Sequence, residues 1–263
     1  MQSFHYQNPS SVAAAAAALK SDDARLLAGG QSLLPSMKLG LAAPSSLIDL
    51  GGLGELQGIS VQGGTVRVGA MTRHADVAAS ADVQRAIPAL ADLAGNIGDR
   101  QVRNRGTIGG SLANNDPAAC YPAAVLGLGA TVHTDRRTIA ADDFFKGLYA
   151  TALADGEIIT AVSFPVPAKA GWIKFKQPAS RFSLVGVFVS QGPQGVRVAV
   201  TGAGPCVFRA AVLEARLAAG WSAAALAGAT VSADGLNSDL HGSAEYRAAL
   251  IPVLAARAVA AAG

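Results

Sequence analysis

Thr107-Ile108-Gly109-Gly110-Ser111-Leu112-Ala113-Asn114-Asn115-Asp116-Pro117 is the stretch from which the rest of the chain is read. Its glycine pair offers consecutive backbone N–H groups with no Cβ in the way. Glycine tolerates positive φ and lets the backbone approach a ligand, so such a turn can wrap an anion. Short polar side chains follow, then a helix start, whose dipole adds partial positive charge. The same segment also reads as a polar loop that caps a helix through Asp116. A second pair stands upstream, in Ala28-Gly29-Gly30-Gln31-Ser32, after the apolar Leu26-Leu27. One Gly-Gly is ordinary turn punctuation. Two with polar tails suggest one diphosphate gripped from both sides. Neither is followed by the lysine of a Walker loop or fits the dinucleotide fingerprint G-x-G-x-x-G.

The chain has 263 residues, 51% of them hydrophobic and 15% charged, with a formal net charge of +3. That length supports one to three compact units with a sizeable core. The basic residues are scattered, which argues against nucleic acid as a partner. One local cluster, Arg100, Arg103 and Arg105, either faces a phosphate or acidic partner or is simply solvated. No apolar run approaches the roughly 20 residues that span a bilayer. Met1-Gln2-Ser3-Phe4-His5-Tyr6 lacks a basic region followed by an apolar stretch, so no secretory signal is expected, and a cytoplasmic setting is. The two cysteines, Cys120 and Cys206, are expected as free thiols. Without C-x-x-C spacing, this chain alone cannot hold an iron–sulfur cluster or structural zinc. His5, His74, His133 and His241 show no ligand spacing and are expected at the surface or in caps. No catalytic acid, base or nucleophile stands out.

Residues 10–20 read as a helix capped from Asn8-Pro9-Ser10-Ser11. Short strands at Arg25-Leu26-Leu27-Ala28 and Ser46-Leu47-Ile48-Asp49-Leu50 flank a turn or short helix at 33–41, a β-turn-β or βαβ-like unit. Alternation on both sides of Gly63-Gly64 marks a hairpin over 59–68. Thr72 is expected to cap a helix through Ser80. One helix is expected over 82–96 and another over 117–128, with Pro117 in its first turn and Asp116 as cap. Strands follow near 130–134 and 157–164. Pro165-Val166-Pro167-Ala168-Lys169-Ala170-Gly171 reads as a domain boundary. Strands 172–176, 183–190 and 195–201 and helices 209–219, 221–227 and 244–262 complete an α+β layout, an antiparallel sheet with helices on one face.

Four stretches make a resemblance specific: Leu27-Ala28-Gly29-Gly30-Gln31-Ser32-Leu33-Leu34-Pro35, residues 101–119, Gly156-Glu157-Ile158-Ile159-Thr160, and Leu240-His241-Gly242-Ser243-Ala244-Glu245-Tyr246-Arg247. Over essentially its whole length the chain resembles the FAD-binding medium subunit of the molybdenum hydroxylases, the xanthine dehydrogenase and carbon monoxide dehydrogenase type. The resemblance implies a two-subdomain FAD-binding domain of the vanillyl-alcohol-oxidase-like (PCMH) type over 1–167, with subdomains of about 1–54 and 55–167. A C-terminal α+β domain over 168–263 would follow. It implies a heterotrimer, dimerised, in which electrons leave a substrate at a molybdopterin large subunit. They would pass two [2Fe–2S] clusters in a small subunit, reach FAD here, and leave to NAD, a quinone or oxygen.

Carried over by position, Leu27, Ala28, Gly29, Gly30, Gln31, Ser32, Leu33 and Leu34 face Thr107, Ile108, Gly109, Gly110 and Ser111 across the diphosphate and ribose. Asn114 and Asp116 extend the second segment. Ile97 falls near the adenine end, and Ile159 and Lys176 at flavin contacts. Phe182 matches an aromatic beside the isoalloxazine, although a phenylalanine is also an ordinary core choice. By the resemblance, relatives usually have Asp where Cys120 stands, before Tyr121-Pro122. A thiol is a weak donor and poor acceptor, so Cys120 either gives up a cofactor hydrogen bond or is packing filler. Two other readings remain at this stage: a self-contained FAD oxidoreductase, and a flavin-free assembly subunit.

Overall fold

The computed structural model describes residues 2–262. Met1 and Gly263, the ends of two expected segments, lie outside them. The first unit holds strands β1 (His5–Gln7), β2 (Ala24–Leu27) and β3 (Ser46–Asp49) and helices α1 (Val12–Ala18) and α2 (Leu33–Lys38). Its strands run parallel in the order β1-β3-β2. Parallel neighbours need crossovers, which α1 and α2 supply. Ser11 caps α1, its Oγ accepting from Ala14 N at 3.1 Å. The small core beneath gathers Ala15, Ile48, Leu50, Leu53 and Leu56. Strand β1 has no counterpart in the sequence reading, because its three residues are all exposed and carry no apolar alternation.

The second unit opens with the hairpin β4 (Ile59–Gln62) and β5 (Thr65–Gly69). Gly63 and Gly64 have φ of 55° and 72°, which suits the right-handed twist of the flanking strands. Short helices follow: α3 (His74–Ala79), α4 (Ala81–Ala86), α5 (Pro88–Gly95), α6 (Arg100–Arg103), α7 (Ile108–Asn114) and α8 (Tyr121–Gly127). Then come β6 (Thr131–Thr134), β7 (Thr138–Ala140), α9 (Ala141–Phe144), the small hairpin β8 (Phe145–Gly147) and β9 (Ala150–Thr151), and β10 (Ile159–Pro165). The last strand returns to the centre of an antiparallel sheet ordered β4-β5-β10-β6-β7.

The third unit is an antiparallel sheet of β11 (Lys169–Lys176), β12 (Ser183–Gly192), β13 (Gly195–Thr201) and β14 (Phe208–Arg209), followed by α10 (Ala211–Ala219) and α11 (Ala244–Ala261). The layout is α+β. Helices cover both faces of this sheet, not one. Val185, Val187 and Val189 pack with α10 and α11. Trp172, Phe188 and Ala199 join the core of the second unit, where α5 and α8 lie. The run from Ser183 to Ser190 is buried throughout, the pattern of a strand covered on both sides. A Cβ on Gly127 would meet Phe188 at 2.9 Å, so glycine there lets α8 press against the sheet.

Other expectations are corrected locally. The helix expected over 82–96 is two, broken at Ile87 because Pro88 disfavours helical backbone in the residue before it. Thr72 caps nothing. Its hydroxyl is held by Gly58, donating to O and accepting from N at 3.1 Å each, and Arg73 precedes α3 instead. Asp116 does not cap α8. Its Oδ1 accepts from Ala118 N at 2.8 Å in a turn before the helix, and Pro122 fills the first turn behind Cys120. Residues 221–227 form only a short 3-10 turn, Ala223–Leu226. His74 is buried, while His133 bonds Ser163 Oγ at 2.8 Å.

Candidate functional site

A cleft of about 870 Å³ opens where the three units meet. Ala28, Gly29, Gly30, Gln31, Ser32 and Leu33 line one side, and Thr107, Gly109, Gly110, Ser111, Asn114 and Asp116 line the other. Ile97, Cys120, Ile159 and Phe182 complete the set of sequence-selected residues in its wall. Four others stand back. Leu27 and Leu34 pack around Gly30, Ile108 is fully buried, and Lys176 reaches Asn96 Oδ1 at 2.7 Å. The lysine in the wall is Lys174. Strand alternation puts 174 and 176 on one face, so period two is the signal that could have found it.

The two glycine segments turn out to differ. Gly109 and Gly110 lie inside the first turn of α7, not in a loop. Its early donors are already used. Ile108 N bonds Thr72 O (3.2 Å), Gly109 N bonds Ala70 O (2.8 Å), and Gly110 N bonds Thr107 Oγ1 (3.2 Å). Glycine is needed there for packing: a Cβ on Gly109 would fall 2.8 Å from Ala70 O. The first segment is the open one. Gly30 has φ of 72°. Among the described residues, the backbone N–H groups of Gly30, Gln31, Ser32 and Leu33 donate to no protein acceptor. They form a row of free donors leading into α2, the arrangement that holds phosphate oxygens.

His74 sits in the same wall. Its N–H bonds Gly106 O at 3.0 Å, and its ring stacks at a tilt on Tyr121, centroids 5.2 Å apart. The buried Nδ1 has no hydrogen-bond partner. Burial, aided by the charge of Arg103, lowers its pKa to about 4, so the imidazole is neutral at pH 7. Arg103 itself turns inward, donating to Ile97 O at 2.9 Å and Gly98 O at 3.1 Å, while Arg100 and Arg105 stay exposed. A second cavity of about 690 Å³ lies behind Gly29, with Arg73, Asp76 and Arg105 in its wall.

At the other end, Cys120 is buried and free. Its Sγ lies 3.3 Å from Lys174 Nζ and 3.6 Å from Ser183 Oγ. Lys174 Nζ also donates to Asn96 O at 3.0 Å, which brings Ile97 to the Cys120 end of the cleft. Phe182 is 50% exposed and belongs to no core, so the packing reading of this residue falls away. Glu157 in the third motif is a brace. Arg137 holds it at 2.9 Å, with Thr134 Oγ1 and Ala154 N donating as well, and these bonds lower its pKa to about 2. The fourth motif is a clamp. Ser243 caps α11, and buried Arg247 donates to Leu184 O (2.8 Å), Gly202 O (3.0 Å) and both oxygens of Asp239. Among the described residues no cluster of three His, Cys, Asp or Glu could hold a metal. No helix among them is long and apolar enough to cross a membrane.

Free donors on a glycine-bent turn and apolar Ile97 and Ile159 match the needs of a dinucleotide: anionic middle, flat apolar rings. Comparison with known proteins agrees. Residues 2–167 match the model of the FAD binding domain in molybdopterin dehydrogenase. The chain is 38% identical to the carbon monoxide dehydrogenase medium chain of Hydrogenophaga pseudoflava, over 98% of this chain and 96% of that one. It is also 38% identical to the nicotine 6-hydroxylase medium subunit of Paenarthrobacter nicotinovorans, over 100% and 98%. A solved structure, reconstituted CO dehydrogenase from Oligotropha carboxidovorans, superposes with a TM-score of 0.89 at 33% identity, covering 99% of this chain and 97% of that one. The chain belongs to the family of FAD-binding domains of molybdopterin dehydrogenases.

Proposed function

We propose that this chain is the FAD-binding electron-transfer subunit of a three-subunit molybdenum hydroxylase. The observation that carries the reading is the row of four N–H groups from Gly30 to Leu33, free among the described residues, on a segment that lines the cleft across from Gly109 and Gly110. These donors would hold the diphosphate, with Ser32 and Ser111 hydroxyls beside it. Leu27, Leu34 and Ile108 would act from behind, by shaping the turn and the helix that face the cofactor. Ile97, Cys120, Ile159 and Phe182 would surround the flavin ring. We place Ile97 at this end, not the adenine end, on the support of Lys174, which links its neighbour Asn96 to Cys120. Lys176 would act through Asn96 and not by direct contact.

Bound FAD supplies redox chemistry, taking electrons singly and releasing a pair. The residues of this chain bind, orient and shield. The relatives' names as medium chains support two further subunits, for which we propose a small one with [2Fe–2S] clusters and a large molybdopterin one, with NAD, a quinone or oxygen as acceptor. We divide the chain into an FAD-binding domain, 1–167, with subdomains of about 1–54 and 55–167, and a C-terminal domain, 168–263, that closes over the flavin. Copurification tests the assembly: isolated from the cells that make it, the chain should emerge with an iron–sulfur subunit and a molybdopterin subunit. Emergence alone, with robust turnover of an organic substrate, would contradict it.

A further inference from the structure

We infer that Lys174 sets the redox potential of the flavin in this cleft, as a half-buried cation with no carboxylate partner. The inference rests on the FAD reading above. Its Nζ donates to Asn96 O at 3.0 Å and to Cys120 Sγ at 3.3 Å, and neither acceptor is a carboxylate. Among the described residues Lys174 takes part in no ion pair. The buried carboxylate in the same wall, Glu157, is engaged by Arg137. The side chain beside Nζ is that of residue 120, and it is cysteine.

The physics follows from where this charge sits. A flavin gains negative charge on reduction, and an ammonium in a cleft of low effective dielectric favours that form more than it would in water. An Asp at 120 would neutralise Lys174 and remove the bias. Cysteine leaves it in place. Lys174 acts here on the potential and not on any bond that forms or breaks, so it is a positioning charge and no catalytic residue.

The test uses the full chain loaded with FAD, its midpoint potential read by titration against a reference dye. K174M should cost about tenfold in the preference for reduced over oxidised flavin, about 30 mV for a two-electron couple. K174R should restore most of it. C120D should lower the potential in the same direction, and by more than C120N, which has the same shape without the charge. A K174M protein with the parent potential overturns the inference. So does an equal shift in K174M and K174R, which would mark lost packing and not lost charge. If K174M does not fold, the C120D and C120N pair decides alone, and equal potentials overturn it. A parent chain that takes up no FAD fails earlier, at the cofactor reading itself.

Discussion

A Cβ on Gly29 would lie 2.2 Å from the carbonyl oxygen of Arg105 and 2.7 Å from Gly106 Cα. Gly29 belongs to the first glycine segment and Arg105 and Gly106 immediately precede the second, so the contact joins the β2–α2 turn to the α6–α7 turn. The cleft has its shape because no side chain stands between them. Gly29→Ala must push the two backbones apart. Overpacking against main chain costs about 1–3 kcal/mol or more, and here the loss falls on the site. We expect G29A to lose most bound flavin. Gly110→Ala is milder, since its Cβ would meet only Thr107 Oγ1 at 3.0 Å and Ala28 Cβ at 3.5 Å. Flavin absorbance per folded chain, with folding checked by circular dichroism, separates the two.

Arg247 and Asp239 anchor the third unit. The guanidinium is buried, and it spans the ends of β12 and β13 through Leu184 O and Gly202 O while Asp239 accepts from it at 2.8 and 2.9 Å. Removing one partner of such a pair leaves the other's polar groups stranded, at about 3–5 kcal/mol. R247M strands the carbonyls of Leu184 and Gly202, and D239N leaves the buried guanidinium without its counter-charge, so both should lower the urea midpoint. A parent-like midpoint in either variant would remove the clamp from the account.

Acid should unfold the chain in two steps of different origin. His74 titrates at about 4 in the fold against 6.5 in the open chain. The native state therefore binds fewer protons in that window, and stability falls as pH drops from 6.5 to 4. Glu157, held at about 2 against 4.5, adds stability above pH 4.5 that is lost as pH falls toward 2. H74N should flatten the first part of the urea-midpoint profile and E157Q the second. An H74N profile parallel to the parent's would contradict the first assignment.

Asn115 sits at φ 42°, ψ 47° after α7 and sends its amide to Gly147 O and Ala150 O, both at 2.8 Å. Asparagine tolerates this backbone and brings two donors. Asn115→Gly keeps the conformation and removes the tether. Faster amide exchange confined to residues 145–151 is the expected result, at a cost of about 1–3 kcal/mol for the stranded carbonyls.

The residues explain what the sequence could and could not disclose. The hairpin at Gly63-Gly64 was legible because its turn chemistry is local. Strands β11, β12 and β13 were legible from their apolar runs; the two-residue β14 was not, and its Arg209 read as helix. The second glycine pair misled: Gly-Gly reads as a turn, yet Ala70 and Thr72 carbonyls, on a segment distant in sequence, satisfy Gly109 and Ile108 and hold them in a helix. The second covering of the β11–β14 sheet was hidden for the same reason, since α5 and α8 come from another unit. Lys174, His74 and the bracing role of Glu157 were missed because each depends on partners brought in by tertiary packing. Motif similarity located the cleft; it did not distinguish Lys174 from Lys176.

The most direct measurement is the flavin content of the full chain. Purified protein, equilibrated with FAD and passed through gel filtration, should retain one flavin per chain by visible absorbance, and a bulky replacement at Gly30 should abolish this while the fold survives. A colourless, correctly folded parent chain would contradict the account at its root.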